Sequence, residues 1–87
     1  MTYRVVYAKQ AVRDAKKLKK SSHAKKAKKL LLLLAEDPYK TPPSYEKLLG
    51  DLDGAFSRRI SLQHRLVYQV LEKEKIVKVL RLWTHYE

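Results

Sequence analysis

The sequence predicts an α+β domain built in the order β-α-α-β-β-β, an antiparallel sheet with two helices packed on one face. Three observations carry that reading. The chain opens on a β-branched and aromatic run, continues through two segments of helical period, and, after a proline-rich break, changes to three stretches with turn residues between them. At 87 residues it has apolar material for one core, so residues 1–87 form a single domain.

Residues 2–7, Thr-Tyr-Arg-Val-Val-Tyr, read as the first strand. Ala8, Ala11, Val12, Ala15 and Leu18 then recur at helical spacing, with lysines and Arg13 on the remaining surface. Ser21-Ser22 interrupts the pattern and offers an N-cap for a second helix, which turns Ala24, Ala27, Leu30, Leu31 and Leu34 toward a core. Leu32 and Leu33 widen its apolar face beyond what one sheet surface needs and suggest a partner. Three prolines within residues 37–44 fix φ and remove donors, which requires a loop. Residues 55–60, 64–71 and 76–83 read as strands of an antiparallel meander, turning at 61–63 and 72–75. Gly50 and Gly54 bracket an Asp-rich turn at its entrance. By strand alternation, Arg59, Arg65 and Arg81 are expected in rows on the uncovered face, lining a groove.

The formal net charge of +11 points to a polyanionic partner, nucleic acid before membrane surface, because basic residues near phosphates release condensed counterions. Eleven of the twenty Lys and Arg fall in residues 1–30 against one acid, Asp14. Lys16, Lys17, Lys25 and Lys26 are the candidate phosphate contacts there, and such lysines set affinity and position, not chemistry. Without cysteine the chain has no disulfide, thiolate nucleophile or cysteine zinc site. The N-terminal residues lack a signal-peptide pattern, and the leucine run 30–34 is too short to span a bilayer. A cytoplasmic protein with no membrane partner is expected. Three scattered histidines and no clustered carboxylates give no expectation of a metal or other cofactor.

The most specific signal is Ser57-Arg58-Arg59-Ile60, then His64-Arg65-Leu66-Val67-Tyr68, then His85-Tyr86. These resemble the YoeB/Txe branch of the RelE toxin superfamily along nearly the whole chain. The resemblance implies the toxin of a type II toxin–antitoxin system, a ribosome-dependent endoribonuclease that cleaves messenger RNA in the ribosomal A site, with ribosomal RNA and an acidic cognate antitoxin as further partners. Whether the chain forms a homodimer is left open. By the same resemblance Glu46 falls where the family keeps its proposed general base, Arg65 matches the arginine of the second motif, and His85 and Tyr86 match the terminal pair. Two departures stand out: Gln63 precedes His64 where many relatives have an acid, and three residues separate Arg81 from His85, more than in some members.

Elementary chemistry suits those residue types. Cutting RNA without a metal requires a base for the 2′-hydroxyl, an acid for the leaving 5′-oxygen, a cation for the crowded phosphorane and a means of holding the nucleotide in line. Histidine serves as acid because both its protonation states are accessible near neutral pH. Glu46 would need burial or apolar neighbours to work as a base there. Arginine offers a forked set of donors, and Tyr86 a ring for an unstacked base. Tyr68 and Trp83 read as packing residues, His64 as structural and His23 as a surface residue. Two alternatives remain at this stage: a gyrase-directed toxin of the related ParE type, which needs no such constellation, and a noncatalytic RNA-binding protein of the same fold.

Overall fold

The computed structural model describes residues 2–48 and 54–85, with backbone alone for 83–85. The described residues run β1 (Arg4–Tyr7), α1 (Lys9–Lys19), α2 (Ala24–Glu36), β2 (Glu46–Lys47), β3 (Ala55–Arg59), β4 (His64–Leu71) and β5 (Ile76–His85). They form one sheet in the order β1-β5-β4-β3-β2. The helices cover one face, where Ala11, Leu18, Ala27, Leu30 and Leu34 meet Ile60, Leu66, Tyr68, Val77, Val79 and Leu82. Each fully buried aliphatic side chain of this kind contributes about 1.5–3 kcal/mol. Among the described residues no helix is long and apolar enough to cross a membrane.

The expected meander is present, with β3, β4 and β5 paired antiparallel. Two features correct the expected sheet. β1 joins β5 in parallel, with Val5 opposite Val77, so the sheet is mixed and not antiparallel throughout. The helical pair carries the chain across the sheet to the far edge, and three reversals then bring β5 back beside β1 in the same direction. The second feature is β2, a two-residue edge strand in which Glu46 pairs with Ser57 and Lys47 with Phe56. Two residues give alternation no room to declare itself.

Side chains take up local roles that helical period does not specify. In α1, Val12 is exposed while Asp14 is buried. The Asp14 carboxylate is compensated there, accepting from Arg81 Nε at 2.8 Å and from the Leu82 N–H at 3.0 Å. Ser21 does not cap α2, whose N-cap is His23 with no side-chain cap bond. Instead Ser21 Oγ donates to Leu18 O and accepts from the His23 N–H, closing the turn between the helices. The turn expected between Gly50 and Gly54 lies mostly outside the described residues, but Gly54 has φ +90°, a conformation that favours glycine.

The β4–β5 turn is tied through Glu72 to the segment before β1 and to the loop after α2. Its carboxylate accepts from Tyr3 Oη at 2.6 Å, Tyr39 Oη at 2.9 Å and Lys75 Nζ at 2.9 Å. These donors, Tyr3 first, hold its acidity at about 2, below the ordinary 4.5. Burial, and then the hydrogen bond to Glu72, push the Tyr39 phenol up to about 12. A carboxylate more acidic in the folded state contributes stability that is present above pH 4.5 and lost as pH falls toward 2. Between pH 5 and 2 the thermal midpoint of the wild type should therefore fall more steeply than that of Glu72→Gln. Parallel curves for the two proteins would remove Glu72 from the acid transition.

Candidate active site

Alternation along β3 and β4 decides what each face of the sheet holds. Arg58, Ile60, Leu66 and Tyr68 turn toward the helix-covered side, so Ser57, Arg59 and Arg65 turn to the other. Glu46, directly opposite Ser57 in the ladder, joins them. Together Ser44, Glu46, Ser57, Arg59 and Arg65 line a polar groove of about 280 Å³. That is slightly below the size of pockets that enclose a whole small ligand.

At its centre Arg65 Nη1 lies 3.5 Å from Glu46 Oε2 and 3.4 Å from Ser57 Oγ. The Arg65 side chain is only 9% exposed, so its guanidinium is held, whereas that of Glu46 is 59% exposed. The burial expected for a carboxylate base is thus not provided by the described residues. Arg59, at the mouth, is exposed. Two guanidinium groups face one carboxylate, which leaves the groove with a net positive charge.

Arg81 does not complete the expected row of three arginines. Its guanidinium pairs with Asp14 of α1, through Nε at 2.8 Å and Nη2 at 3.4 Å. The cause is the register of β5. Between the pairs Tyr68↔Val79 and His64↔His85, β5 takes six steps for four of β4, with irregularities on both sides of Val67↔Arg81, so simple alternation fails at Arg81. The same irregularities bring the His85 backbone opposite His64, beside Arg65↔Thr84 at the start of β4. The His85 backbone therefore runs alongside the strand that supplies Arg65. The His85 side chain and Tyr86 lie outside the described residues.

His64 is buried, with Nδ1 3.1 Å from Ser61 Oγ, in keeping with a structural role. His23 is half-buried, and its ring lies 6.3 Å from that of His64. Lys16, Lys17, Lys25 and Lys26 are exposed on the helices, across the sheet from the groove. Since Asp14 turns inward to Arg81, the one acid of residues 1–30 does not neutralise the surface around them. Lys25 and Lys26 also occupy the first turn of α2, where the helix dipole disfavours cations.

Sequence reasoning missed Arg58. It is fully buried and donates to Tyr68 Oη and to the carbonyls of Pro38, Lys40 and Pro43. A signal for it was present, because alternation places Arg58 on the face opposite Ser57 and Arg59, where a charge must find partners. A larger cleft of about 610 Å³ lies along β1 and α2, lined by Tyr3, Val5, Leu31 and Leu32 among others. Leu32, expected to widen the apolar face, is 53% exposed there. This cleft gathers no acid, base and phosphate-binding cation together, whereas the smaller groove sets a carboxylate beside two guanidinium groups.

Comparison with known proteins agrees with the fold and the motifs. The sequence matches the YoeB-like toxin of bacterial type II toxin-antitoxin systems over residues 7–86. A toxin YoeB of Streptomyces coelicolor is 40% identical over 53 residues, 61% of this chain and 63% of that protein. The chain spans under two thirds of the length of the curated relatives it matches. Among solved structures, the YoeB/ParE toxin from Agrobacterium tumefaciens superposes with a TM-score of 0.85 at 26% identity, covering 95% of this chain and 99% of that one. The Staphylococcus aureus toxin in a heterotetrameric YoeB–YefM toxin–antitoxin complex gives 0.80 at 29%, covering 99% and 100%. The chain belongs to the YoeB-like toxin family of bacterial type II toxin–antitoxin systems.

Proposed function

We propose that the chain is the toxin of such a pair and acts as a ribosome-dependent endoribonuclease on messenger RNA in the A site, in the cytoplasm. The observation that carries the reading is the contact of Arg65 with both Glu46 and Ser57 inside one cationic groove. A phosphate held by Arg65 and Arg59 places its adjoining ribose beside Glu46. Glu46 takes the 2′-hydroxyl proton, the 2′-oxygen attacks phosphorus in line, and Arg65 stabilises the charge that gathers on the phosphorane. His85 protonates the departing 5′-oxygen, and Tyr86 stacks on the unstacked base. The products are a 2′,3′-cyclic phosphate and a 5′-hydroxyl. The carboxylate works in a dry environment only once RNA and ribosome close over it, which accounts for a requirement for the ribosome.

The lysine face of the helices docks on ribosomal RNA, on the side of the sheet away from the reacting phosphate. Its position against the α2 dipole costs stability, a cost that phosphate contact offsets. An acidic antitoxin segment neutralises the same charge.

The test is to incubate the protein with translating ribosomes, kept intact separately, and map RNA ends with and without excess EDTA. Cuts in the A-site codon bearing 5′-hydroxyl ends, persisting in EDTA, are expected. In the same assay, Gln at Lys16, Lys17, Lys25 and Lys26 should weaken ribosome binding and flatten its salt dependence without altering single-turnover cutting at saturation. Uncut messenger RNA would sink the ribonuclease reading, loss of cutting in EDTA would sink the metal-free route, and slowed chemistry in the lysine variant would sink the docking assignment.

A further inference from the structure

We propose that Arg58 is a positioning residue that sets the place of Glu46 from the opposite face of the sheet, an inference that rests on the ribonuclease reading. Residues 38–43 pass behind β3 and β4, where Arg58 meets their carbonyls, and the chain then joins the sheet edge beside β3, with Ser44 and Glu46 lining the groove in front. On the back, Arg58 gathers that loop. Its Nε donates to Tyr68 Oη at 3.1 Å, its Nη2 to Pro38 O and Lys40 O at 2.9 Å each, and its Nη1 to Pro43 O. Tyr68 Oη donates in turn to Pro38 O at 2.9 Å. Burial pushes the Tyr68 phenol up, against the opposing effect of Arg58, which keeps it a neutral donor.

The last contact is with the residue next to the carboxylate. The Arg58 guanidinium carbon lies 5.0 Å from the centre of the Tyr45 ring, which also meets Phe56 edge-on at 5.4 Å. Glu46 follows directly and pairs with Ser57, the neighbour of Arg58. A single run of β3 thus does two things. Ser57 and Arg59 build the groove in front, and Arg58 anchors behind it the loop that brings in the groove's carboxylate.

A fully buried guanidinium is an expensive way to fasten a loop, since apolar packing of similar volume avoids the desolvation of a charge. What a guanidinium adds is direction: a flat fork of donors fixes several carbonyls at once in one geometry. A base must lie within hydrogen-bonding reach of the hydroxyl it deprotonates, and a misplacement of about 1 Å can cost about a hundredfold in rate. The proline-rich loop has little regular structure of its own to meet that tolerance.

The test compares Arg58→Met and Tyr45→Leu, each alone and combined with Glu46→Ala, in single-turnover cutting on saturating ribosomes. Alone, each should slow cutting by about tenfold to a hundredfold with ribosome affinity unchanged. On top of Glu46→Ala, each should add little, because the effect runs through that carboxylate. Arg58→Lys should recover part of the loss. Full additivity with Glu46→Ala, or a wild-type rate in the folded single variants, would overturn the proposal.

If Arg58→Met does not fold, Tyr45→Leu, which alters a half-buried ring, carries the test. A second measurement needs no cutting: hydrogen exchange at the Leu48 N–H, which donates to Ala55 O at 2.9 Å beside β2. Lost protection there, with the thermal transition retained, supports the clamp, and retained protection overturns it. A wild-type protein that cuts nothing, paired with lost protection in Tyr45→Leu, would remove the ribonuclease reading and leave the clamp standing.

Discussion

Arg65→Ala should lower the single-turnover rate on ribosomes by about a hundredfold to a thousandfold, the range found when a preorganised donor to a developing charge is removed. The structure makes this a sharp test, because the guanidinium is almost buried and reaches both Glu46 and Ser57. Its charge is in place before substrate arrives and reorganises little during reaction. Arg65→Lys should restore only part of the rate, since a point charge cannot contact the phosphate and the groove wall as a fork does. The carboxylate left behind is mostly solvated and so is not stranded by the change, and the thermal transition of the variant checks that it is folded. A folded Arg65→Ala protein that cuts at the wild-type rate would displace Arg65 from the chemistry.

His85→Ala should have an effect at least as large, about a hundredfold to ten-thousandfold, the usual range for a positioned proton donor. The backbone of β5 brings residue 85 to the start of β4, one step from Arg65. Ribosome affinity should change little, and the basic limb of the pH–rate profile, where the imidazolium loses its proton, should disappear in the variant. A profile that keeps that limb in His85→Ala assigns the acid to another group. Since Arg65 and His85 act on one phosphate, the double variant should lose less than the product of the two single losses.

The parts of the fold that were legible in the sequence are those with long runs of one period. The helices and the meander announce themselves through apolar spacing at 3.6 and 2 residues and through the prolines between them. The parallel pairing of β1 was not legible, because the identity of a strand's neighbour depends on how many reversals lie between them and not on its own residues. Val12 and Asp14 show the limit of periodicity from another side. Either spacing is helical, and the choice falls to Asp14 because β5 offers it a guanidinium and a backbone N–H.

The groove was legible in part for similar reasons. Ser57, Arg59 and Arg65 follow from alternation over regular pairs, and Glu46 enters through a strand too short to read. Arg81 was misplaced because alternation was applied across a stretch of β5 where the register slips. Arg58 was visible as a motif residue, but its role depends on a loop whose course no local pattern records.

The slipped register of β5 stores extra chain inside the sheet. Two surplus residues are folded into the strand before His85, so its backbone meets His64 although β5 takes six steps from Val79 where β4 takes four. One of the two falls between Arg81 and His85, where β5 takes four steps for three of β4, so the wider interval is taken up within the ladder. Asp14 ties this irregular stretch of strand to the helix layer, because the carboxylate of α1 accepts from the Leu82 N–H that lies within it.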